Sequence, residues 1–204
     1  MRKKNLKIFF FLFSIFADPC ASALTFEEIP LKKSVRQSIK DGNIEAESIV
    51  LDSTDHSQKK LQELKFQILG LHPKKCSYAL STLSDYENYK NYVDFIKRSE
   101  YDENNQMLDF GLSHILLPYD MQLTFKLPRI QKTGQYPFSF DVGFLTGLKG
   151  NIHVIDYKDK CLFFTNAQWK GPHSGIPRSI FEFFSQGLSK LSMEILFRIS
   201  RVKK

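Results

Sequence analysis

The last stretch of the chain, Pro177 to Arg201, reads PRSIFEFFSQGLSKLSMEILFRISR. Its apolar residues recur at Phe181, Phe184, Leu188, Leu191, Ile195 and Ile199, steps of three and four that gather on one helical face. Pro177 suits a first helical position, where its missing N–H leaves no bond unmade. Arg198, Arg201, Lys203 and Lys204 put cations at the C-terminal end, where the helix dipole favours them. About 25 residues at ~1.5 Å each give a helix of roughly 37 Å. A helix that long needs a large apolar partner surface, and that need constrains the rest of the chain.

The preceding hundred residues supply a candidate. From Met107 the apolar period is two: Leu108, Phe110, Leu112, His114 and Leu116, then Met121, Leu123, Phe125 and Leu127, then Phe138, Phe140, Val142 and Phe144. Pro118-Tyr119-Asp120, Lys132 to Tyr136 and Gly147 to Gly150 are turn signals between these runs. Ile152 to Tyr157 and Cys161 to Lys170 read as two more strands around Lys158-Asp159, with Phe163 and Trp169 on one face and Phe164 on the other. Successive hairpins make an antiparallel sheet. Upstream, Thr25 to Asp41 reads as a short helix capped by Thr25 and ended by Gly42-Asn43. Ile44 to Leu51 and Leu61 to Leu71 are extended runs. Pro73 to Leu83 and a segment capped by Ser84 or Asp85, with Tyr86, Tyr89, Tyr92 and Val93, are two short helices. A strand is expected over Asp94 to Glu100. The fold class is α+β.

Residues 1–23 read as a secretory signal peptide: Arg2, Lys3, Lys4 and Lys7, the short apolar run Ile8 to Ala17, and the small-x-small site Ala21-Ser22-Ala23. The expected product is an exported protein, periplasmic or secreted, cleaved near Ala23. Residues 24–59 then form an N-terminal extension and 60–204 the main domain. Four of the basic residues behind the formal net charge of +7 belong to the leader. The rest form no basic block with interleaved aromatics, which argues against nucleic acid. The basic C-terminal end, next to Leu196 and Phe197, reads either as helix-end cations or as a peripheral contact with an anionic membrane. Cys76 and Cys161 remain after cleavage. In an oxidising compartment the pair allows a disulfide, and two separate buried thiols are the alternative.

Chemistry is sparse. HExxH, GxSxG, P-loop and GxGxxG patterns are absent, as is CxxC. Asp52, Asp55 and His56 fit a polar hairpin loop better than a metal site, and no metal or cofactor is expected. His114, in register with the apolar face of its strand, is either an inward base or ligand-orienting donor or a hydrogen-bonded core histidine. His153 is expected on the outer face.

The order of elements is strand, two short helices, a run of hairpins, long helix. With HPKKCSYALSTLSDYENYKNYV (His72 to Val93), its proline-initiated helix and its Asp85-Tyr86-x-x-Tyr89 turn, and with Leu117-Pro118 before a strand, this order resembles the START-like, or birch-pollen-allergen-like, superfamily. The similarity includes the polyketide cyclase/dehydrase and coenzyme-Q-binding groups and covers roughly Lys60 to Arg201. It implies the helix-grip fold, a curved antiparallel sheet wrapped around the C-terminal helix, with an apolar ligand (lipid, quinone or polycyclic) between the two. The chain contains 19 Phe and 8 Tyr, so the wall of such a pocket is strongly aromatic. The candidate lining is Phe110, His114, Phe125, Phe138, Phe140, Phe144, Phe181, Phe184, Leu188 and Leu191. A cyclase-, dehydratase- or hydrolase-like enzyme with His114 or a tyrosine as acid/base, and a solid-cored interaction domain, remain the alternatives.

Overall fold

The computed structural model describes residues 24–113, 120–143 and 145–201. Eight strands form one antiparallel sheet: β1 (Glu45–Thr54), β2 (Lys60–His72), β3 (Ile96–Asp102), β4 (Met107–Leu112), β5 (Met121–Lys126), β6 (Gly134–Val142), β7 (Lys149–Tyr157) and β8 (Lys160–Pro172). Their spatial order is β1-β2-β8-β7-β6-β5-β4-β3. The hairpin run from β3 to β8 is thus consecutive in space. The chain then closes by pairing β8 with β2, from Leu61↔Pro172 to His72↔Cys161. Helix α1 (Lys33–Lys40) precedes the sheet. Helices α2 (Cys76–Leu83) and α3 (Tyr89–Tyr92), linked by a 3-10 turn over Tyr86–Asn88, follow β2, and α4 (Arg178–Arg201) ends the described chain. The sheet curls around α4 in the helix-grip arrangement.

Period-two alternation sorts side chains to the two faces of the sheet. On β2, Leu64, Phe66 and Ile68 point to α4, while Leu69 and Leu71 point outward and are nonetheless buried. Phe26, Ile29 and Ile39 cover them together with Leu162 and Phe164. Both faces are buried here, which explains the unbroken apolar run Ile68 to Leu71. His153 stacks on Phe164 at 5.3 Å on this outer side.

The expected helix over Thr25–Asp41 is corrected to α1 alone. Pro30 disfavours helical geometry at Ile29 and removes a donor. Residues before it turn instead: Thr25 donates its N–H (2.7 Å) and hydroxyl (2.9 Å) to the Glu28 carboxylate. Arg36 pins that turn by donating to the carbonyls of Phe26 and Ile29. The helix over Pro73–Leu83 likewise begins only at Cys76, and neither Ser84 nor Asp85 caps the next segment. Asp85 instead accepts from Asn88 Nδ2 at 2.9 Å.

Close approach of sheet and helix depends on Gly70, where an added Cβ would lie 2.5 Å from Met193 Sδ and 2.9 Å from the Phe197 ring. The helix is also tethered at both ends. At its start, Glu182 accepts the Val50 N–H (2.7 Å), Ser185 donates to Ser48 Oγ (2.9 Å) and Gln186 Nε2 donates to the same hydroxyl (3.1 Å). These groups occupy the open edge of β1, which would otherwise invite a further strand. At its end, Phe197 packs on His72 and Phe163, and Cys76 and Cys161 form a disulfide with Cα atoms 4.6 Å apart.

Candidate functional site

Between the concave face of the sheet and α4 the interior is not closely packed. Two chambers lie there, one of about 350 Å³ and one of about 370 Å³. Phe66, Ser189 and Ser192 line both, so the chambers meet at these residues. Normal interiors leave few voids larger than a water molecule; these are the size of ligand sites.

The upper chamber is walled by Leu112, Leu123, Phe138, Phe140, Leu188 and Leu191, among others. The lower one is walled by Phe110, Phe125, Phe163, Leu196 and Phe197, with Tyr86 and Tyr89 at its base. The aromatic wall is continuous: Phe110–Phe125 at 5.3 Å, Phe125–Phe140 at 4.9 Å and Phe138–Phe140 at 6.1 Å between ring centres. Six of the sequence-derived candidates therefore line the chambers: Phe110, Phe125, Phe138, Phe140, Leu188 and Leu191. His114 and Phe144 lie outside the described residues. Phe181 is buried edge-on against Trp169 (6.1 Å), in the cluster beneath the start of α4. Phe184 is 40 % exposed and stands edge-on to Phe183. At ~100° per residue Phe184 and Leu191 lie about 60–80° to one side of Phe181, which puts both at the rim of the buried face. Leu191 lines the upper chamber and is also 38 % exposed, so that chamber reaches the surface beside it.

Sequence periodicity missed the side chains that α4 turns inward at the centre. These are Ser185, Ser189 and Ser192. Their hydroxyls donate back into the helix or across to β1: Ser189 to Gln186 O (2.9 Å), Ser192 to Leu188 O (2.7 Å), Ser185 to Glu182 O (3.0 Å) and Ser48 Oγ. Such back-bonding satisfies a buried hydroxyl inside a helix, and the small side chains leave the space that Leu or Phe would fill. The four-and-three spacing of Ser185, Ser189 and Ser192 facing the apolar stripe was the available signal.

The other polar groups in the lining are equally committed, with one exception. Tyr86 donates to Pro128 O (3.3 Å) and accepts from the Ile130 N–H (3.1 Å); Tyr89 donates to Leu83 O (2.5 Å). Burial raises both phenols above their usual range. Thr165, on the concave face of β8 between Ile68 and Ile152, lines the lower chamber, and its hydroxyl makes no hydrogen bond within the described residues. No charged side chain, histidine or cysteine lines either chamber among the described residues.

Arg129 lies behind the lower chamber, its guanidinium 5.5 Å from the ring of Tyr86. It donates to Ser84 O (2.6 Å), pairs with Glu87 (2.5 Å) and Glu103 (2.8 Å), and lies 4.4 Å from the Tyr101 ring. The Glu87 and Glu103 carboxylates push the guanidinium further above its usual range. At the opposite end, His72 is fully buried. Its Nδ1 accepts from the Lys74 N–H (3.1 Å), and its Nε2 donates to Ser200 Oγ (3.0 Å), which itself donates to Leu196 O (2.7 Å). Burial is the main cause that lowers its pKa, and the Arg201 and Lys74 charges act in the same direction.

A larger groove of about 760 Å³ runs over the outer face of the sheet, lined by amides and by Lys65, Lys126 and Lys149. It is wide, mixes these polar groups with Ile49, Pro128 and Pro137, and brings together no reactive set among the described residues. Among the described residues no group of His, Cys, Asp and Glu could hold a metal ion, and no helix is long and apolar enough to cross a membrane.

No protein-family model matches the chain. No curated protein matches it by sequence. Solved structures do. A START superfamily protein from Mycobacterium smegmatis superposes with TM-score 0.53 at 12 % identity, covering 68 % of this chain and 99 % of that one. An aromatase/cyclase from Streptomyces superposes with TM-score 0.55 at 8 % identity, over 68 % and 94 %. The Ara h 8 protein gives 0.51 at 11 %, over 68 % and 95 %. The chain therefore has the START-like, birch-pollen-allergen-like fold, with about a third of its length additional to it.

Proposed function

We propose that the protein is an exported binding or carrier protein for an apolar small molecule (a lipid, quinone or polycyclic compound) held between the sheet and α4. The observation that carries this reading is the pair of adjoining apolar chambers beneath the helix, of about 350 and 370 Å³, where a packed core would be expected. Removing apolar surface from water supplies the affinity. An aromatic wall with few polar groups gives shape selection more than chemistry. The described lining holds no carboxylate, histidine, lysine or thiol, and its two tyrosines are driven further from neutral titration by burial. Those features favour binding over acid/base catalysis. Export is inferred from the basic, apolar and small-residue segments of residues 1–23, and a Cys76–Cys161 disulfide suits an oxidising compartment.

The test is binding of the neutral fluorescent probe N-phenyl-1-naphthylamine to the mature protein. Saturable binding is expected for the wild type. Ser192→Phe, which places a ring where the chambers meet, is expected to weaken it at least tenfold while keeping the fold by circular dichroism. Probe binding unchanged by Ser192→Phe would contradict the assignment of the cavity.

A further inference from the structure

We infer that the occupant is uncharged and carries a hydroxyl near the middle of an apolar body, seated at Thr165, Ser189 and Ser192. This rests on the cavity reading and specifies its ligand.

Charge comes first. Neither chamber has a charged side chain in its described lining. A carboxylate or phosphate placed inside would lose its hydration with nothing to replace it. Next is the direction of each hydrogen bond. Ser189 and Ser192 have spent their protons on Gln186 O and Leu188 O, so toward the cavity they offer oxygen lone pairs only. Thr165 faces the lower chamber with its hydroxyl uncommitted, so it can donate as well as accept. Thr165, Ser189 and Ser192 all line the lower chamber, so a ligand hydroxyl placed among them would accept from Thr165 and donate to a serine oxygen. A ketone can use Thr165 alone. A hydrocarbon leaves Thr165 unpaired in an apolar surround, which costs free energy.

Position completes the argument. Ser189 and Ser192 line both chambers and Thr165 the lower one, so the polar spot lies on the lower side of their junction, with aromatic and leucine walls on either side. The matching group therefore sits at mid-length and not at an end.

Four matched probes separate these classes by displacing N-phenyl-1-naphthylamine from the mature protein: 8-hexadecanol, 8-hexadecanone, hexadecane and palmitate. The alcohol is expected to displace about fivefold more tightly than hexadecane, the size of one net hydrogen bond, with the ketone between them and palmitate weaker than the alcohol. Thr165→Val, close to isosteric, is expected to remove most of the advantage of the alcohol and leave hexadecane unchanged; Ser189→Ala with Ser192→Ala keeps the test available if the valine variant does not fold. Equal displacement by alcohol and hexadecane, or palmitate as the tightest, would overturn the inference and leave the cavity reading standing. No displacement by any of the four from a probe-binding protein does the same. Failure of the probe itself to bind overturns the cavity reading and this inference with it.

Discussion

His72 shows what a single residue does for the grip on α4. It is fully buried, yet both ring nitrogens are bonded, one to the backbone after β2 and one to Ser200 in the last turn of the helix. Its native pKa lies below the ordinary 6.5 because the charged ring would lose water. In that situation the unfolded chain binds the proton more readily than the native one. The stabilising contribution is complete above about 6.5 and is lost as pH falls from there through the lowered native value. Urea midpoints measured between about pH 7.5 and 5 should fall for the wild type and fall less steeply for His72→Gln. Burial also lowers the pKa of His153, which contributes in the same direction, so some slope should remain. An unchanged slope in His72→Gln would remove His72 from the account. The serines are the second lesson at this scale. A hydroxyl bonded to its own helix costs little inside the protein, so hydrophobicity alone cannot tell a cavity-facing serine from a solvent-facing one. The six lining residues legible in the sequence are all large and apolar for the same reason.

Among the elements, α4 is held by unlike means at its two ends. Its start is tied to β1 through Glu182, Ser185 and Gln186, and the loop before it through Gln62, which donates to Ile176 O (3.2 Å) and accepts from Ser174 Oγ (2.6 Å). Glu182→Ala should cost about 1–3 kcal/mol in urea denaturation, the range for losing a hydrogen bond to a charged group; a loss below a few tenths would mean that the β1 edge is not held this way. Its end is held by apolar packing near the disulfide. That bridge spans 85 residues of sequence, and a loop of this length gives about 4.5 kcal/mol in the chain-entropy view. Cys76→Ala with Cys161→Ala should lower stability by several kcal/mol and wild-type protein should weaken similarly under reductant; a double variant as stable as wild type would contradict the bridge. The strands and the long helix were legible because their periods, two and 3.6, are carried by many residues. Helix starts were less so. Thr25–Asp41 has helical spacing at Val35 and Ile39, but Pro30 limits the helix to its second half. Whether two cysteines 85 residues apart meet is a matter of register, here His72 opposite Cys161, which composition does not carry.

For the molecule as a whole, the packing is uneven. The outer face under Phe26, Ile29 and Ile39 and the region around Trp169 and Phe181 are filled. The space under the middle of α4 is not. A fold that leaves apolar chambers empty forgoes the stability that packing them would give, and a bound apolar ligand restores it by mass action. The measurement that tests this most directly is organic extraction and mass spectrometry of the mature protein purified from its native compartment. A neutral apolar compound at close to one per chain, absent from the Ser192→Phe variant purified in parallel, is the predicted result. A clean extract from a wild-type protein that also fails to take up N-phenyl-1-naphthylamine would contradict the account.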